Sequence, residues 1–423
     1  MTMEQRIWLF WGLVVTLAVA LVAPSAAVAG AHLDRDFGSN GIARLPKTFD
    51  DSAGMALVGE GRVVVAGKEG ILALLPSGQI DSSFGTEGVA KPSVPSEFVV
   101  GPESLELSAI AADRQGRAVV VGDFLPESPA ITHPLVERFS PTGQIEGDFS
   151  SQMPAEAYLQ QIAFDSAGRI VIKGKVPRGS GERDFLTRLE ESGRADPQFG
   201  QAGLRTLPEV PHWYAETRLE RSWDIGPGDA ISIAIKHGRG QLLLQLSGDG
   251  ARSKAFGHDG ISHYPSGTVL GPLVDPLGRL ITWSEIEGVE HRLPNGIRID
   301  RLIPGGGPDR SFGRHGSIEL RIPHLYTAEL ALDETGHILV ATLLKGRGAI
   351  SEGKELALYR LRDGGRIDRS FGHDGMVRIR FPHVNYPLLN LEEFDVRGDE
   401  AAILATDCGR NCEPVVARVD LGA

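Results

Sequence analysis

The sequence predicts an all-β fold, a single β-propeller of seven four-stranded blades, and three observations predict it. A Phe-Gly phrase recurs seven times along the chain. A second phrase, a turn followed by an apolar strand, recurs between the copies. The pattern is cut in mid-unit at both ends, as a ring closed by its own termini requires, whereas an open solenoid would need caps.

In chain order, the first element is a targeting segment. Residues 1–6 are mostly polar and end in Arg6, and an uncharged, largely apolar run extends from Ile7 to Ala23. Pro24 and Ser25 break the run. Ala27-Val28-Ala29 then supplies the small-residue pattern of a secretory cleavage site, with Ala29-Gly30-Ala31 as a competitor. Residues 1–29 are therefore expected to be a signal peptide and 30–423 the mature chain, secreted or held in the cell envelope, without membrane contact after cleavage. An uncleaved anchor is the alternative, because the apolar run of about seventeen residues nears spanning length. No cysteine lies near the site, which excludes a lipoprotein anchor.

The repeat occupies the rest. The Phe-Gly phrase is an aspartate, two residues, Phe-Gly, two residues, Gly and an apolar strand. It reads LDRDFGSNGIARL from Leu33, IDSSFGTEGVAKP from Ile80, ADPQFGQAGLRTL from Ala195, PDRSFGRHGSIEL from Pro308 and IDRSFGHDGMVRI from Ile367. Two copies are decayed, IEGDFSSQM from Ile145 and ARSKAFGHDGIS from Ala251. The phenylalanines are Phe37, Phe84, Phe149, Phe199, Phe256, Phe312 and Phe371, spaced 47 to 65 residues apart. Between them lie GEGRVVVAG at Gly59, DRQGRAVVVG at Asp113, DSAGRIVIKG at Asp165 and DPLGRLITW at Asp275, with looser matches at Gly226, Asp333 and Arg397. A third strand precedes each Phe-Gly motif. Each unit thus offers four strands rich in Val, Ile and Leu, separated by Gly, Asp, Pro and Ser turns. Residues 32–423 number 392, seven units of 56. Four strands at this period is the pattern of a propeller blade. Counting a decayed copy differently gives six or eight. The strand at Gly41–Leu45 is expected to complete the blade whose other strands are C-terminal, because unpaired edges invite aggregation.

The Phe-Gly phrase resembles the delta-60 repeat, a bacterial family of propeller-like repeats, across the whole mature chain and most closely at Asp81–Gly88, Asp309–Gly316 and Asp368–Gly375. The resemblance implies a secreted or surface bacterial protein with propeller architecture. It implies no shared reaction and no catalytic residues. Phe149-Ser150 departs from the pattern and puts that blade's edge in question.

Each repeated residue type has a physical role to fill. The short carboxylates of Asp34, Asp81, Asp196, Asp309 and Asp368 suit Asx-turns. None has the spacing of a calcium loop. The phenylalanines are expected to wedge between blades, each burial stabilising by roughly 2–3 kcal/mol.

Composition narrows the function. Forty-three basic residues against 55 acidic ones give a net charge of -12, which argues against a nucleic-acid surface. Two cysteines exclude a disulfide-rich scaffold and multi-cysteine metal sites. No Walker loop, HExxH motif, GxSxG elbow or dinucleotide fingerprint is present.

Variable loops on a regular scaffold are where function is expected. These are the connections from a fourth strand to the next blade, and the loops between second and third strands. Pro211-His212-Trp213-Tyr214, Pro323-His324-Leu325-Tyr326 and Pro382-His383-Val384-Asn385-Tyr386 recur in three such connections. His212, Tyr214, His324, Tyr326, His383 and Tyr386 are the candidate ligand residues, since imidazole and phenol bind metals and hydrogen-bond. The competing reading is a Pro-led turn whose aromatic packs on the next blade. The second-to-third strand loops of interest are Gly122–His133, Gly174–Asp184 and Leu344–Lys354. Cys408 and Cys412 lie in a further loop of this kind, the last in the chain, and export favours a disulfide between them over a redox or copper role. His258-Asp259 and His373-Asp374 read as surface turn residues.

The function expected is a non-enzymatic monomeric scaffold, without metal or cofactor, presenting a loop face to a protein, glycan or small ligand. The alternatives are a hydrolase or lyase with His212, Glu216, His324, Glu329 and His383 in an axial pocket, and a purely structural envelope module.

Overall fold

The computed structural model describes residues 30–422, apart from 50–51, 94–104, 125–132, 179–180, 208–222, 238–239, 265–269, 287–294, 346–352, 381–388 and 409–411. Residues 1–29, read as a signal peptide, lie outside them.

Two short strands, β1 (His32–Leu33) and β2 (Ile42–Arg44), flank the first Phe-Gly turn. Seven antiparallel sheets then follow in sequence order. Blade I holds β3 (Gly54–Val58), β4 (Arg62–Gly67), β5 (Gly70–Leu74) and β6 (Val89–Ala90). Blade II holds β7 (Leu105–Ala112), β8 (Ala118–Phe124) and β9 (His133–Phe139). Blade III holds β10 (Tyr158–Phe164), β11 (Ile170–Arg178), β12 (Gly181–Leu189) and β13 (Leu204–Thr206). Blade IV holds β14 (Trp223–Ile225), β15 (Ile231–His237), β16 (Gly240–Leu246) and β17 (Ile261–Tyr264). Blade V holds β18 (Leu270–Val274), β19 (Leu280–Glu285), β20 (Gly296–Leu302) and β21 (Ser317–Arg321). Blade VI holds β22 (Leu325–Leu332), β23 (Ile338–Lys345), β24 (Gly353–Leu361) and β25 (Met376–Arg380). Blade VII holds β26 (Leu389–Arg397), β27 (Glu400–Cys408) and β28 (Cys412–Asp420).

The ring closes as the cut repeat requires. Ile42–Arg44 pairs antiparallel with Val415–Ala417, so the N-terminal β2 is the outer strand of blade VII. Strand β1 adds His32 opposite Asp420 and Leu33 opposite Val419. The first strands of successive blades touch all the way round, from β3 to β7 and finally from β26 back to β3, so they form the inner wall. Helix among the described residues is confined to three-residue 3-10 turns such as Lys47–Phe49.

Two expectations need correction. Blade II has three strands, not four. In intact copies the Phe-Gly glycine is left-handed; at Gly85, φ is +58° and a Cβ would lie 2.2 Å from the Val89 carbonyl oxygen. Ser150 holds that place in blade II, outside the positive-φ set, and no strand follows before β10. A side chain at the turn costs the blade its outer strand. The second correction concerns the Gly174–Asp184 loop. It is mostly hairpin, with pairing continuing from Gly174 opposite Phe185 to Arg178 opposite Gly181.

Each phenylalanine wedges into the junction with the next blade. Phe37, Phe84, Phe199, Phe256, Phe312 and Phe371 are at most 2% exposed, and Phe149 of the decayed copy is half-buried. Phe312, for example, packs with Ile299 of its own blade and Leu330 and Val340 of blade VI.

An arginine on the third strand accompanies five of these wedges. Arg138, Arg188, Arg301, Arg360 and Arg418 lie over the rings of Phe149, Phe199, Phe312, Phe371 and Phe37 at 4.6–4.9 Å. Each binds its motif carboxylate, respectively Glu146, Asp196, Asp309, Asp368 and Asp34. Each then donates an Nη1–H to a carbonyl of the following blade, at Glu191, Gly248, Asp363, Leu421 and Gly61. In blade I the place is held by Ala73, and Arg62 of β4 reaches both Asp81 and the Pro141 carbonyl instead. The aspartates also make the expected Asx-turns, as in Ser311 N–H to Asp309 Oδ1 at 3.0 Å. Burial pushes the Asp309 carboxyl pKa up, but hydrogen bonds from Ser311 and the charge of Arg301 outweigh it and hold it below the ordinary value. Asp368 behaves likewise under Ser370, Arg362 and Arg360.

Candidate functional site

The two faces of the ring are built differently. First-to-second strand turns are five residues long in blades II to VI, for example Asp113–Arg117 between β7 and β8. The connections on the opposite, loop face run from three residues between β21 and β22 (322–324) to sixteen between β13 and β14 (207–222). The second-to-third strand loops there run from two residues (68–69) to ten (286–295).

Of the six candidate ligand residues, the described ones are His324 and Tyr326; His212, Tyr214, His383 and Tyr386 lie outside the described residues. Ile322-Pro323-His324-Leu325 is a tight turn closed by Leu325 N–H to the Ile322 carbonyl at 3.3 Å. Pro323 stands at its second position and His324 at its third with φ +64°, the signature of a type II turn. The His324 side chain is exposed. Tyr326 is half-buried against the apolar cluster shared by blades VI and VII. It is also the extra residue of a bulge, since pairing with β23 skips from Leu325 to Thr327. Glu329 of the axial-pocket alternative lies on β22 opposite Ala341. His373 and Asp374 are 97% and 84% exposed, turn residues as their sequence context suggests.

Bulges of this kind recur on the inner wall. Pairing skips one residue at Ser108, Gln160, Tyr326 and Glu392 and two at Gly271-Pro272, in the loop-face half of the inner strands of five blades. Bulges re-aim side chains and gather beside functional sites. The groups nearby are polar. Glu392 accepts from Thr406 Oγ1 at 3.1 Å, and Gln160 Oε1 lies 3.5 Å from Lys173 Nζ. Glu106 on β7 stands opposite Asp123 on β8.

Two of these side chains are electrostatically displaced. Burial, with Glu106 adding repulsion, pushes the Asp123 carboxyl up to about 6. Burial pushes the Lys173 ammonium down; Asp184 opposes this and Lys175 adds to it. Lys173 is 8% exposed. It is the fourth residue after the arginine of its Gly-Arg strand, facing the next junction. The other blades place Ala66, Val121, Ala234, Trp283, Ala341 and Leu404 there, all apolar. That contrast was readable in the sequence as the lysine of GRIVIKG. The bulges were not readable, because they depend on pairing register.

Two inner-wall aspartates serve the ring itself. Asp395 Oδ2 accepts the Leu57 N–H and Asp224 Oδ2 the Val274 N–H, each 2.8 Å across to the next blade. Among the described residues, no group of three or more His, Cys, Asp or Glu side chains is placed to hold a metal ion. Cys408 and Cys412 face each other as the last pair of the β27–β28 hairpin; their side chains lie outside the described set.

No family model and no curated protein sequence matches the chain. Solved structures do. A polysaccharide lyase, Uly1, is 10% identical with a TM-score of 0.50, covering 91% of this chain and 92% of its own. A puromycin hydrolase is 15% identical with a TM-score of 0.46, covering 90% of this chain and 56% of its own. The prolyl oligopeptidase B of Galerina marginata is 9% identical with a TM-score of 0.41, covering 89% and 49%. The chain thus spans about half the length of these two hydrolytic enzymes. At such identities the likeness is one of fold: the chain is a seven-bladed β-propeller.

Proposed function

We propose that the protein is an exported propeller scaffold whose loop face binds a protein, glycan or small ligand. The observation that carries this reading is the contrast between faces. On the Phe-Gly face, turns repeat in length, and their carboxylates and arginines are engaged with one another. On the loop face, connection lengths vary from three to sixteen residues and the inner strands are bulged. Asp123 and Lys173 are held there in half-buried and buried settings that cost stability. Export is supported by the apolar run and small-residue pattern of residues 7–31, and the resemblance to delta-60 repeats agrees with it.

The test has two parts. N-terminal sequencing of the exported protein should begin at Gly30. A glycan array and a small-molecule thermal-shift panel, followed by hydrogen exchange on each hit, should show protection at the inner-strand bulges and their flanking loops. Protection confined to the Phe-Gly turns would reject the assignment of the face. Turnover of any panel compound would displace the scaffold reading in favour of an axial hydrolase or lyase site. Export also brings Cys408 and Cys412, partners in register, into an oxidising compartment. The intact mass of the secreted protein should be two hydrogens short of the reduced form, and closing so short a loop contributes about 2 kcal/mol.

A further inference from the structure

We propose that the junction between blades IV and V is a built-in seam at which the ring opens. In blade IV the third-strand arginine is replaced by Gln245 and the motif carboxylate by Ser253, both at the positions held by Arg188 and Asp196 in blade III. The two losses come together, so neither leaves a buried charge without its partner. Gln245 turns back into its own blade, donating from Nε2 to Ser232 Oγ at 3.2 Å. The second arginine position, which sends Arg117 to Glu191, Arg169 to Asp229 and Arg279 to Asp363 across other junctions, is Ala230 here. Among the described residues, no ion pair joins blade IV to blade V.

The apolar seal is correspondingly thin. The cluster between blades IV and V consists of Ala234, Leu243, Phe256, Leu280 and Leu302, with Val274 half-buried beside it. Among the described residues, the adjacent cluster between III and IV holds nine buried residues, and that between V and VI thirteen. Polar groups fill the remaining space: Ser232 and Thr282 are fully buried, and Thr282 Oγ1 has no hydrogen-bond partner. An interface so made gains less from burial and lacks the arginine ties of its neighbours, so it separates at lower cost than they do.

Among the described residues, three hydrogen bonds cross the junction, and their placement sets the motion. Val274 N–H donates to Asp224 at the inner wall. Gly257 N–H donates to the Gly305 carbonyl at 3.0 Å, and Ser262 Oγ to the Gly306 carbonyl at 3.0 Å, towards the outside. The charge-assisted bond is the inner one. Opening therefore pivots on the Asp224–Val274 tie and parts the outer side, leaving both sheets intact.

The inter-blade amide bond supplies a like-for-like reporter. Gly200 N–H bonds the Asp249 carbonyl between blades III and IV, and Gly313 N–H the Gly364 carbonyl between V and VI, with the same motif geometry as Gly257. Residue-resolved native hydrogen exchange of the full mature chain should show the Gly257 amide exchanging about tenfold faster than those of Gly200 and Gly313. Equal or slower exchange at Gly257 would overturn the proposal. Two paired variants test the cause. Gln245→Arg with Ser253→Asp should slow Gly257 to the range of the other two. Arg188→Gln with Asp196→Ser, which leaves the Arg169–Asp229 pair across that junction, should raise the Gly200 rate severalfold towards that of Gly257 while leaving Gly313 unchanged. If the first pair does not fold, the second decides alone: an unchanged Gly200 rate in that variant would refute the clamp as the cause.

Discussion

Blades IV and V carry the same wedge with different chemistry around it. Phe256 and Phe312 are both fully buried, and both follow the same glycine turn. Around Phe312 stand Arg301 and Asp309; around Phe256 the matching positions are Gln245 and Ser253. Both blades form four complete strands. The wedge and the turn therefore suffice to make a blade, and the ion pair is a separate layer that can be removed when both members go together. Blade II teaches the converse: it keeps Arg138 and Glu146 but has Ser150 at the turn, and it lacks the outer strand.

The largest test of this division is the wedge. Phe312→Ala and Phe256→Ala should each lower unfolding free energy by about 3–5 kcal/mol, measured by urea denaturation. A small loss at Phe256 alone would mean that blade IV is held by something other than its wedge.

The ion-pair layer should split the two blades. Asp309→Ala removes one of the two carboxylates that hold the Arg301 guanidinium, 2% exposed, and leaves Asp363 as the other, so it should cost about 2 kcal/mol. Ser253→Ala should cost under about 0.5 kcal/mol. The carboxyl pKa values of Asp81, Asp309 and Asp368 lie below their unfolded values. Their contribution is thus complete above the unfolded carboxylate pKa of about 4 and is lost as pH falls through the lower folded values. Melting from pH 5 to pH 2 should drop less steeply in Asp309→Asn than in the parent.

Lys173 sharpens the comparison from the other side, as a buried cation without the carboxylate that Arg301 has. Lys173→Met should raise stability by about 1–2 kcal/mol at pH 7. Because the folded pKa is lowered, the folded chain binds fewer protons than the unfolded one between that value and about 10.4, and stability rises with pH there. The methionine variant should lack this rise. A destabilised variant would instead assign Lys173 a bonding partner that holds the III–IV junction.

What the sequence could and could not show follows from the same residues. The blade count, the closure through β2 and the phenylalanine wedges were legible because each is a local phrase repeated at a fixed period. The arginine clamp was also written there: Arg301 and Arg360 stand eleven residues before Phe312 and Phe371, but the pairing crosses a turn and a blade boundary. The missing strand of blade II was signalled by Ser150 without its consequence being fixed, since loss of a glycine has several outcomes. The inner-wall bulges depend on register, which hydrophobic pattern alone leaves undetermined by one residue. Of the candidate site, the lysine of GRIVIKG and the recurrence of Pro-His with a following tyrosine were visible, and at Tyr326 the phenol is half-buried in the core between blades VI and VII.

The smallest predicted effect concerns Asp123, the acidic counterpart of Lys173. Its carboxyl stands opposite Glu106 and titrates near 6, because burial and the neighbouring charge both favour the protonated form. The folded chain therefore holds a proton that the unfolded chain releases between about pH 4 and 6, so stability falls as pH rises through that window. The side chain is partly solvated, and screening reduces the penalty above pH 6 to about 1 kcal/mol. Asp123→Asn should match the parent at pH 4 and exceed it by that amount at pH 8 in paired urea titrations. Glu106→Gln should recover part of the same gain. If neither variant responds to pH, the Glu106–Asp123 pair is open to water, and the cost of charge on the loop face falls on Lys173 alone.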